Sequence, residues 1–247
     1  MFQFQSHLIF PVHAVPPAGP LLSGAERMSV RTPDGQTLHG VHIPPDGANR
    51  GGALILGFGG NAWNGQDVAE YLHELYPDVD VVGFHYRGYP PSTGSPSGET
   101  LIADAPLVYD AAVALVRPKR VIAVGLSIGT GVAAQLSSQR KLSGLILVTP
   151  FDSLKAVAEA MYPWLPIGPF FEHEIDAAGA LRDSKLPVAI IAAQHDSIVP
   201  VQRTEALRAI VPNLVYDRTI GGAGHNDIYA RSEFHEAMHE ALKRLKA

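Results

Sequence analysis

Five continuous apolar runs recur along the chain: ALILGF from Ala53, VDVVGF from Val79, RVIAVGL from Arg120, GLILVTP from Gly144 and PVAIIAA from Pro187. Nothing else in the sequence restricts its fold as much. Runs that are β-branched and apolar on both faces do not suit a sheet with one wet side; they indicate strands covered on both sides, as in a parallel sheet. Between and after them lie segments with apolar residues at the 3.6-residue period, over residues 66–75, 99–116, 128–138, 201–210 and 228–245, which predict helices. The fold class read from this alternation is α/β: a mostly parallel, doubly wound sheet with right-handed crossovers and a functional site beyond the carboxyl ends of its strands. Ahead of it, residues 28–32 and 37–43, joined by Pro33-Asp34-Gly35, predict an N-terminal antiparallel hairpin.

The alternation breaks once. About 35 residues, 152–186, separate two strands, more than a crossover helix requires. They hold Tyr162, Trp164, Phe170 and Phe171 among prolines, so this insertion is a candidate cap over an apolar pocket, with those rings and Trp63 as candidate substrate-binding residues. The alternative is that the rings only pack the insertion onto the core. At 247 residues, 46% hydrophobic and 17% charged, the chain suits one domain, 1–247, that includes the cap.

The formal net charge of −5 supplies no basic field for a phosphate backbone, so no nucleic-acid partner is expected. The absence of cysteine excludes disulfides, thiolate metal sites and a cysteine nucleophile. The first twenty residues, MFQFQSHLIFPVHAVPPAGP, have neither a basic n-region nor a long apolar run, so no integral membrane segment is expected and the expected location is the cytoplasm. Oligomeric state is not legible.

Gly125-Leu126-Ser127-Ile128-Gly129 matches G-x-S-x-G where a predicted strand ends and a small-residue helix begins. That context is what the chemistry needs: a serine on a strained turn with its hydroxyl clear, and glycines where a Cβ would collide. A serine hydroxyl becomes nucleophilic only when a histidine takes its proton and a carboxylate orients that histidine. Asp196, after PVAIIAA, and His225, after NLVYDRTI, each sit just past a strand end, on the same rim of the sheet as Ser127. Ser127, His225 and Asp196 are therefore the candidate nucleophile, base and acid. Asp152, after GLILVTP, is the competing acid, with capping of the next helix as its structural role. A tetrahedral intermediate needs two backbone N–H donors. Ile128, the residue after the serine, supplies one, and the glycine-rich loop 57–65 after ALILGF offers the other.

A second motif competes. His235-Glu236-Ala237-Met238-His239 fits H-E-x-x-H, in which two histidines one turn apart bind zinc. Phe234, Met238, Ala241, Leu242 and Leu245 form the apolar stripe of that segment, which puts the two histidines at its edge or on solvent, and the chain leaves little room for a further ligand downstream. No metal or cofactor is expected.

With GLSIG, GGNAWN, YRGYPPSTGSPS, TPFDSL, HDSIVP and GHND in order, the sequence resembles the α/β-hydrolase superfamily over nearly its whole length, in particular small serine hydrolases of the alpha/beta-hydrolase domain-containing type. The resemblance implies an α/β-hydrolase fold, the chain order Ser127, Asp196, His225 for the triad, and Asn61 as the second oxyanion donor. It implies hydrolysis of a small-molecule ester or acyl substrate, carboxylic ester or thioester, through an acyl-enzyme. Alternatives are a serine peptidase or amidase of the same fold, and a binding protein of that fold without turnover. Two departures from the family pattern stand out: Gly59 replaces the usual histidine before Gly60, removing a brace of the oxyanion loop, and Pro90-Pro91 follows YRGY. Arg87, Tyr89 and Asp104 read as polar supports beneath the site.

Overall fold

A computed structural model describes residues 9–47, 52–164 and 171–246. Among these, the strands form one eight-stranded sheet in the order β1-β2-β4-β3-β5-β6-β7-β8. They are β1 (Glu26–Arg31), β2 (Thr37–Ile43), β3 (Ala53–Phe58), β4 (Asp80–Phe84), β5 (Arg120–Leu126), β6 (Gly144–Val148), β7 (Val188–Ala193) and β8 (Leu214–Ile220). β1 and β2 form the antiparallel hairpin, β2 runs antiparallel to β4, and every pairing from β4 to β8 is parallel. This is the mostly parallel, doubly wound sheet that the apolar runs predict, with the strand order of the α/β-hydrolase fold that the resemblance implies.

The double coverage inferred from those runs is visible residue by residue. In β5, Val121 and Ala123 join the core on one face while Ile122, Val124 and Leu126 join the core on the other. Leu145 and Leu147 of β6 divide from Ile146 and Val148 in the same way. Period-two alternation of uniformly apolar residues feeds two cores at once. Helices α1 (Gly65–Leu75) and α7 (Ser232–Lys246) cover one face; α2 (Gly98–Val116), α3 (Ile128–Ser137) and α6 (Val201–Ile210) cover the other.

Among the described residues the insertion forms two short helices on the face of α3: α4 (Leu154–Met161), which buries Leu154 and Val157, and α5 (Ala177–Leu181), which buries Ala177 and Leu181. Asp152 does not cap α4 as expected. Ser153 does, its hydroxyl accepting the Ala156 N–H at 3.1 Å, while Asp152 pairs with Arg203 at 3.3 Å. One residue's difference in the turn decides which side chain faces the free N–H groups.

The predicted helix 228–245 is interrupted. Ile228–Ala230 is a single 3₁₀ turn, Arg231 is extended (φ −90°, ψ 136°), and α7 begins at Ser232. Arg231 is held there by its guanidinium, which donates to Gly222 O at 2.8 Å and to Asp227. Before β1, the chain from Ile9 runs past the N-terminal end of α1, where Asn64 Nδ2 donates to Pro16 O at 3.2 Å and Gln66 Nε2 to Gly19 O at 3.0 Å. None of the helices among the described residues is long and apolar enough to cross a membrane.

Candidate active site

β5 ends at Leu126 and α3 begins at Ile128, leaving Ser127 between them at φ 53°, ψ −119°. A non-glycine residue there costs on the order of 1–3 kcal/mol and persists only where its surroundings over-determine it. They do so here. Ser127 N–H donates to Val148 O at 2.9 Å, and Ser127 O accepts from Thr130 N at 2.9 Å and Thr130 Oγ1 at 2.6 Å. The flanking glycines are sterically required: a Cβ on Gly129 would lie 2.1 Å from Phe58 O, and one on Gly125 would lie 2.5 Å from Gly129 O. The serine hydroxyl is thereby set at the N-terminal end of α3, where the helix dipole favours negative charge.

His225 arrives on the loop after β8. Gly222 in that loop has φ +67° and donates its N–H to Gln194 Oε1 at 2.8 Å, tying this loop to the one after β7. His195 N–H donates to Ala223 O at 2.8 Å and makes a second tie. His225 Nδ1 then lies 2.8 and 3.0 Å from the two Asp196 carboxylate oxygens, and its Nε2 lies 2.9 Å from Ser127 Oγ. Both side chains are nearly shielded, 8% and 5% exposed for His225 and Asp196. An ionised carboxylate only accepts hydrogen bonds, so Nδ1 carries the proton and Nε2 is the acceptor turned to the serine hydroxyl. Asp196 Oδ1 is fixed in turn by the N–H groups of Ile198 at 2.9 Å and Val199 at 2.7 Å. Asp196 thus closes its own turn and at the same time reaches His225.

Asn61 and Ile128 line the same cleft as Ser127. The loop carrying Asn61 approaches so closely that a Cβ on Gly60 would be 3.7 Å from Ser127 Cβ, and Ile128 is the first residue of α3, whose N–H has no carbonyl one turn back. Both residues line a cleft of about 700 Å³ that opens over Ser127 and His225. Its walls are apolar: Trp63, Phe151, Leu154, Val157, Met161, Tyr162 and Ile198, with Ile9 at one side. Tyr229 closes the floor, its ring 5.3 Å from that of Trp63, and burial pushes its phenol well above the ordinary range.

Of the aromatic residues singled out from sequence, Trp63 and Tyr162 line the cleft. Trp164 does not: it is 77% exposed, edge-on to Tyr162. Phe171 is not a wall residue either; it packs against the core and against His173. Phe170 lies outside the described residues. Proline and aromatic content drew attention to the insertion, part of which lines the cleft, but could not tell which rings of an irregular segment turn inward. Ile9 had no local signal, because it reaches the cleft from a segment far in sequence from the other wall residues, whereas Phe151 lies just ahead of the insertion, after β6.

The H-E-x-x-H histidines are engaged elsewhere. His235 Nε2 donates to Tyr229 O at 2.9 Å, and the His239 ring lies 5.8 Å from that of Tyr76. Among the described residues no three His, Cys, Asp or Glu side chains are grouped to hold a metal ion, whereas zinc needs at least three protein ligands.

A serine on a tight strand-to-helix turn at the carboxyl edge of a parallel sheet, met by histidine and carboxylate from later strand ends, defines the α/β hydrolases as a class. The chain belongs to that family, whose alpha/beta hydrolase fold matches residues 54–183. It is 33% identical over 217 residues to the uncharacterized protein Rv2307c of Mycobacterium tuberculosis, covering 86% of this chain and 76% of that one. It is 28% identical to protein bem46 of Schizosaccharomyces pombe, covering 81% and 72%, and 30% identical to lysophosphatidylserine lipase ABHD12 of Danio rerio, covering 60% and 44%. Among solved structures, an alpha-beta hydrolase from Vibrio vulnificus superposes with a TM-score of 0.75 at 17% identity, covering 99% of this chain and 92% of that one. The Pyrococcus furiosus esterase Pf2001 gives 0.69 at 20%, covering 94% and 97%. At these identities the shared property is the fold.

Proposed function

We propose that the protein is a serine hydrolase that cleaves carboxylic esters or thioesters through an acyl-enzyme. The observation that carries this reading is His225 placed between Ser127 Oγ at 2.9 Å and Asp196 at 2.8 Å. In the first half-reaction His225 Nε2 takes the Ser127 proton as Oγ attacks the carbonyl carbon. The negative charge passes to the carbonyl oxygen, which the Ile128 and Asn61 N–H groups receive. Collapse expels the alcohol or thiol, which leaves with the proton held by His225. Water then repeats the sequence on the acyl-serine, again losing its proton to His225 and releasing the acid. Asp196 holds the imidazole in the tautomer that accepts at Nε2 and stabilises the imidazolium that forms. The apolar walls of the cleft suit an acyl chain, and the lipase and esterase among the relatives and neighbours point the same way.

The test is a p-nitrophenyl ester series with purified protein, together with labelling by a fluorophosphonate. Turnover of short to medium acyl esters, with labelling that disappears in Ser127→Ala, is the expected result. A wild-type protein that neither labels nor turns over any ester, thioester or anilide would refute it and leave a binding protein of this fold. Faster turnover of anilides than of matched esters would instead move the activity to an amidase.

A further inference from the structure

The loop proposed to supply the second oxyanion donor lacks its usual side-chain brace. Gly59 stands where the family resemblance implies histidine, and a Cβ there would lie 2.7 Å from Val68 Cγ2. A bulkier residue would displace helix α1, yet a loop of successive glycines still has to present one N–H in a fixed direction. Two tyrosine hydroxyls act on it. Tyr86 Oη donates to Gly59 O at 2.8 Å, and Tyr89 Oη donates to Asn61 O. Both come from the turn after β4, the segment YRGYPP.

We propose that Tyr86 and Tyr89 are positioning residues that aim the oxyanion-loop amide, an inference that rests on the serine-hydrolase reading above. The geometry follows from the peptide group. In a trans peptide the C=O and N–H flanking one C–N bond point in opposite directions. Holding Gly59 O aims the Gly60 N–H, and holding Asn61 O aims the Ala62 N–H. The peptide between them is held from inside the loop, because Gly60 O accepts the Trp63 N–H at 3.4 Å and so turns the Asn61 N–H the other way. Three successive planes are thus set, with the middle one carrying the proposed donor.

The tyrosines are themselves well anchored. Tyr89 is fully buried, and the two rings meet edge to face with centroids 5.6 Å apart. Arg87 between them forms a two-pronged ion pair with Asp104, at 3.0 and 2.6 Å. Gly88, at φ +77°, makes the turn that brings both hydroxyls to the same loop. Burial pushes both phenols above their ordinary range, so each remains a protonated donor. An interaction that only aims an N–H at a developing oxyanion is felt in the transition state and scarcely in substrate binding.

The experiment measures kcat, KM and melting temperature for Tyr86→Phe, Tyr89→Phe and the double variant, plus the inhibition constant of a trifluoromethyl ketone whose serine adduct carries an oxyanion. Each single variant is expected to lose roughly 10–100-fold in kcat, below the loss seen when a donor is removed outright, with KM within about twofold. The ketone should weaken by the same factor as kcat/KM. Unchanged kcat in the double variant overturns the proposal. So does a fall in kcat and melting temperature with ketone affinity unmoved, which is the pattern of a structural support. If Tyr89→Phe fails to fold, the half-buried Tyr86→Phe decides the matter alone. Fluorophosphonate labelling of the wild type separates the two levels: a labelled wild type with unaffected tyrosine variants sinks only this inference, and an unlabelled wild type sinks the serine mechanism and this with it.

Discussion

The turn after β5 and the helix at the C-terminal end each carry a catalytic-looking motif, and they differ in what surrounds them. Ser127 sits in a backbone conformation that its neighbours enforce, and two distant loops bring His225 and Asp196 to it. His235 and His239 sit on an ordinary amphipathic helix whose opposite face is buried; one is bound to a backbone carbonyl and the other stands beside a tyrosine ring. Residue type and spacing are equally good in both. What separates them is convergence: a site needs reacting partners from elsewhere in the chain, and among the described residues no third metal-ligating side chain is grouped with those of α7.

The largest expected effect tests the first region directly. Ser127→Ala should lower kcat by about 10⁶-fold, as loss of the nucleophile does in a serine protease, with the melting temperature nearly unchanged because alanine keeps the Cβ and therefore the same backbone strain. Residual turnover within tenfold of wild type would show that some other group reacts. Next comes the choice between carboxylates. Asp196→Asn should lower kcat by about 10⁴-fold with the fold intact, because His225 then loses the partner that sets its tautomer. Asp152→Asn should cost only about 1 kcal/mol of stability or less by weakening a partly exposed pair, with activity within roughly tenfold of wild type. The reverse pattern would move the acid to the end of β6.

A fourth histidine sharpens the contrast, since burial alone does not make one catalytic. His85 is 4% exposed, and its Nδ1 accepts the Gly65 N–H at 3.3 Å. Burial first, then the nearby His39 and Arg27, hold its pKa down at about 4, below the ordinary 6.5. Because the folded pKa is the lower one, the unfolded chain binds the extra proton first as pH falls. The stability associated with neutral His85 is therefore complete above about pH 6.5 and is lost progressively down to pH 4, on the order of 3 kcal/mol in all. Melting temperature against pH should show this slope, and His85→Gln should flatten it. An unchanged slope would assign the acid sensitivity elsewhere.

Smaller effects test the cleft. Enlarging it with Ile9→Ala or Tyr162→Ala should move the acyl chain-length optimum upward, apolar discrimination being worth about 1–3 kcal/mol per methylene. Trp164→Ala and Phe171→Ala should leave the profile in place. If Trp164 shifts it while Ile9 does not, the wall runs differently from the cleft described above. The smallest effect belongs to the second region: the double variant His235→Ala/His239→Ala, or a chelator, should change kcat/KM by less than about twofold. Chelator-sensitive turnover would revive that helix as the reacting centre.

Much of this was legible because it depends on short-range pattern. Short, β-branched apolar runs bounded by glycine and proline read as strands covered on both faces, and the bounds 53–58, 120–126 and 201–210 agree with β3, β5 and α6 to the residue. Asp-Gly announced the hairpin. G-x-S-x-G announced the Ser127 turn, because its spacing and its strand-to-helix setting lie within a few residues, although the space denied to a Cβ on Gly129 is taken by Phe58 of the neighbouring β3. The break at Arg231 escaped because it is imposed by Gly222 and Asp227 on a preceding loop rather than by helix propensity. Asp152 was misplaced as a cap because two adjacent residues, Asp152 and Ser153, are both good capping types and only the path of the turn selects one.

By itself, then, the sequence determined which residues can be strands and helices, where the serine is strained, and which loops end on the same rim, all of which follow from sterics and burial over a few residues. Only the tertiary structure decided which polar atoms meet: that His225 bridges Ser127 and Asp196, that Tyr86 and Tyr89 hold the loop where Gly59 has no side chain, and that Ile9 rather than Trp164 faces the cleft. Hydrogen bonds and pocket walls join positions tens to nearly a hundred residues apart within about 3 Å, and no local pattern constrains a distance across that much chain.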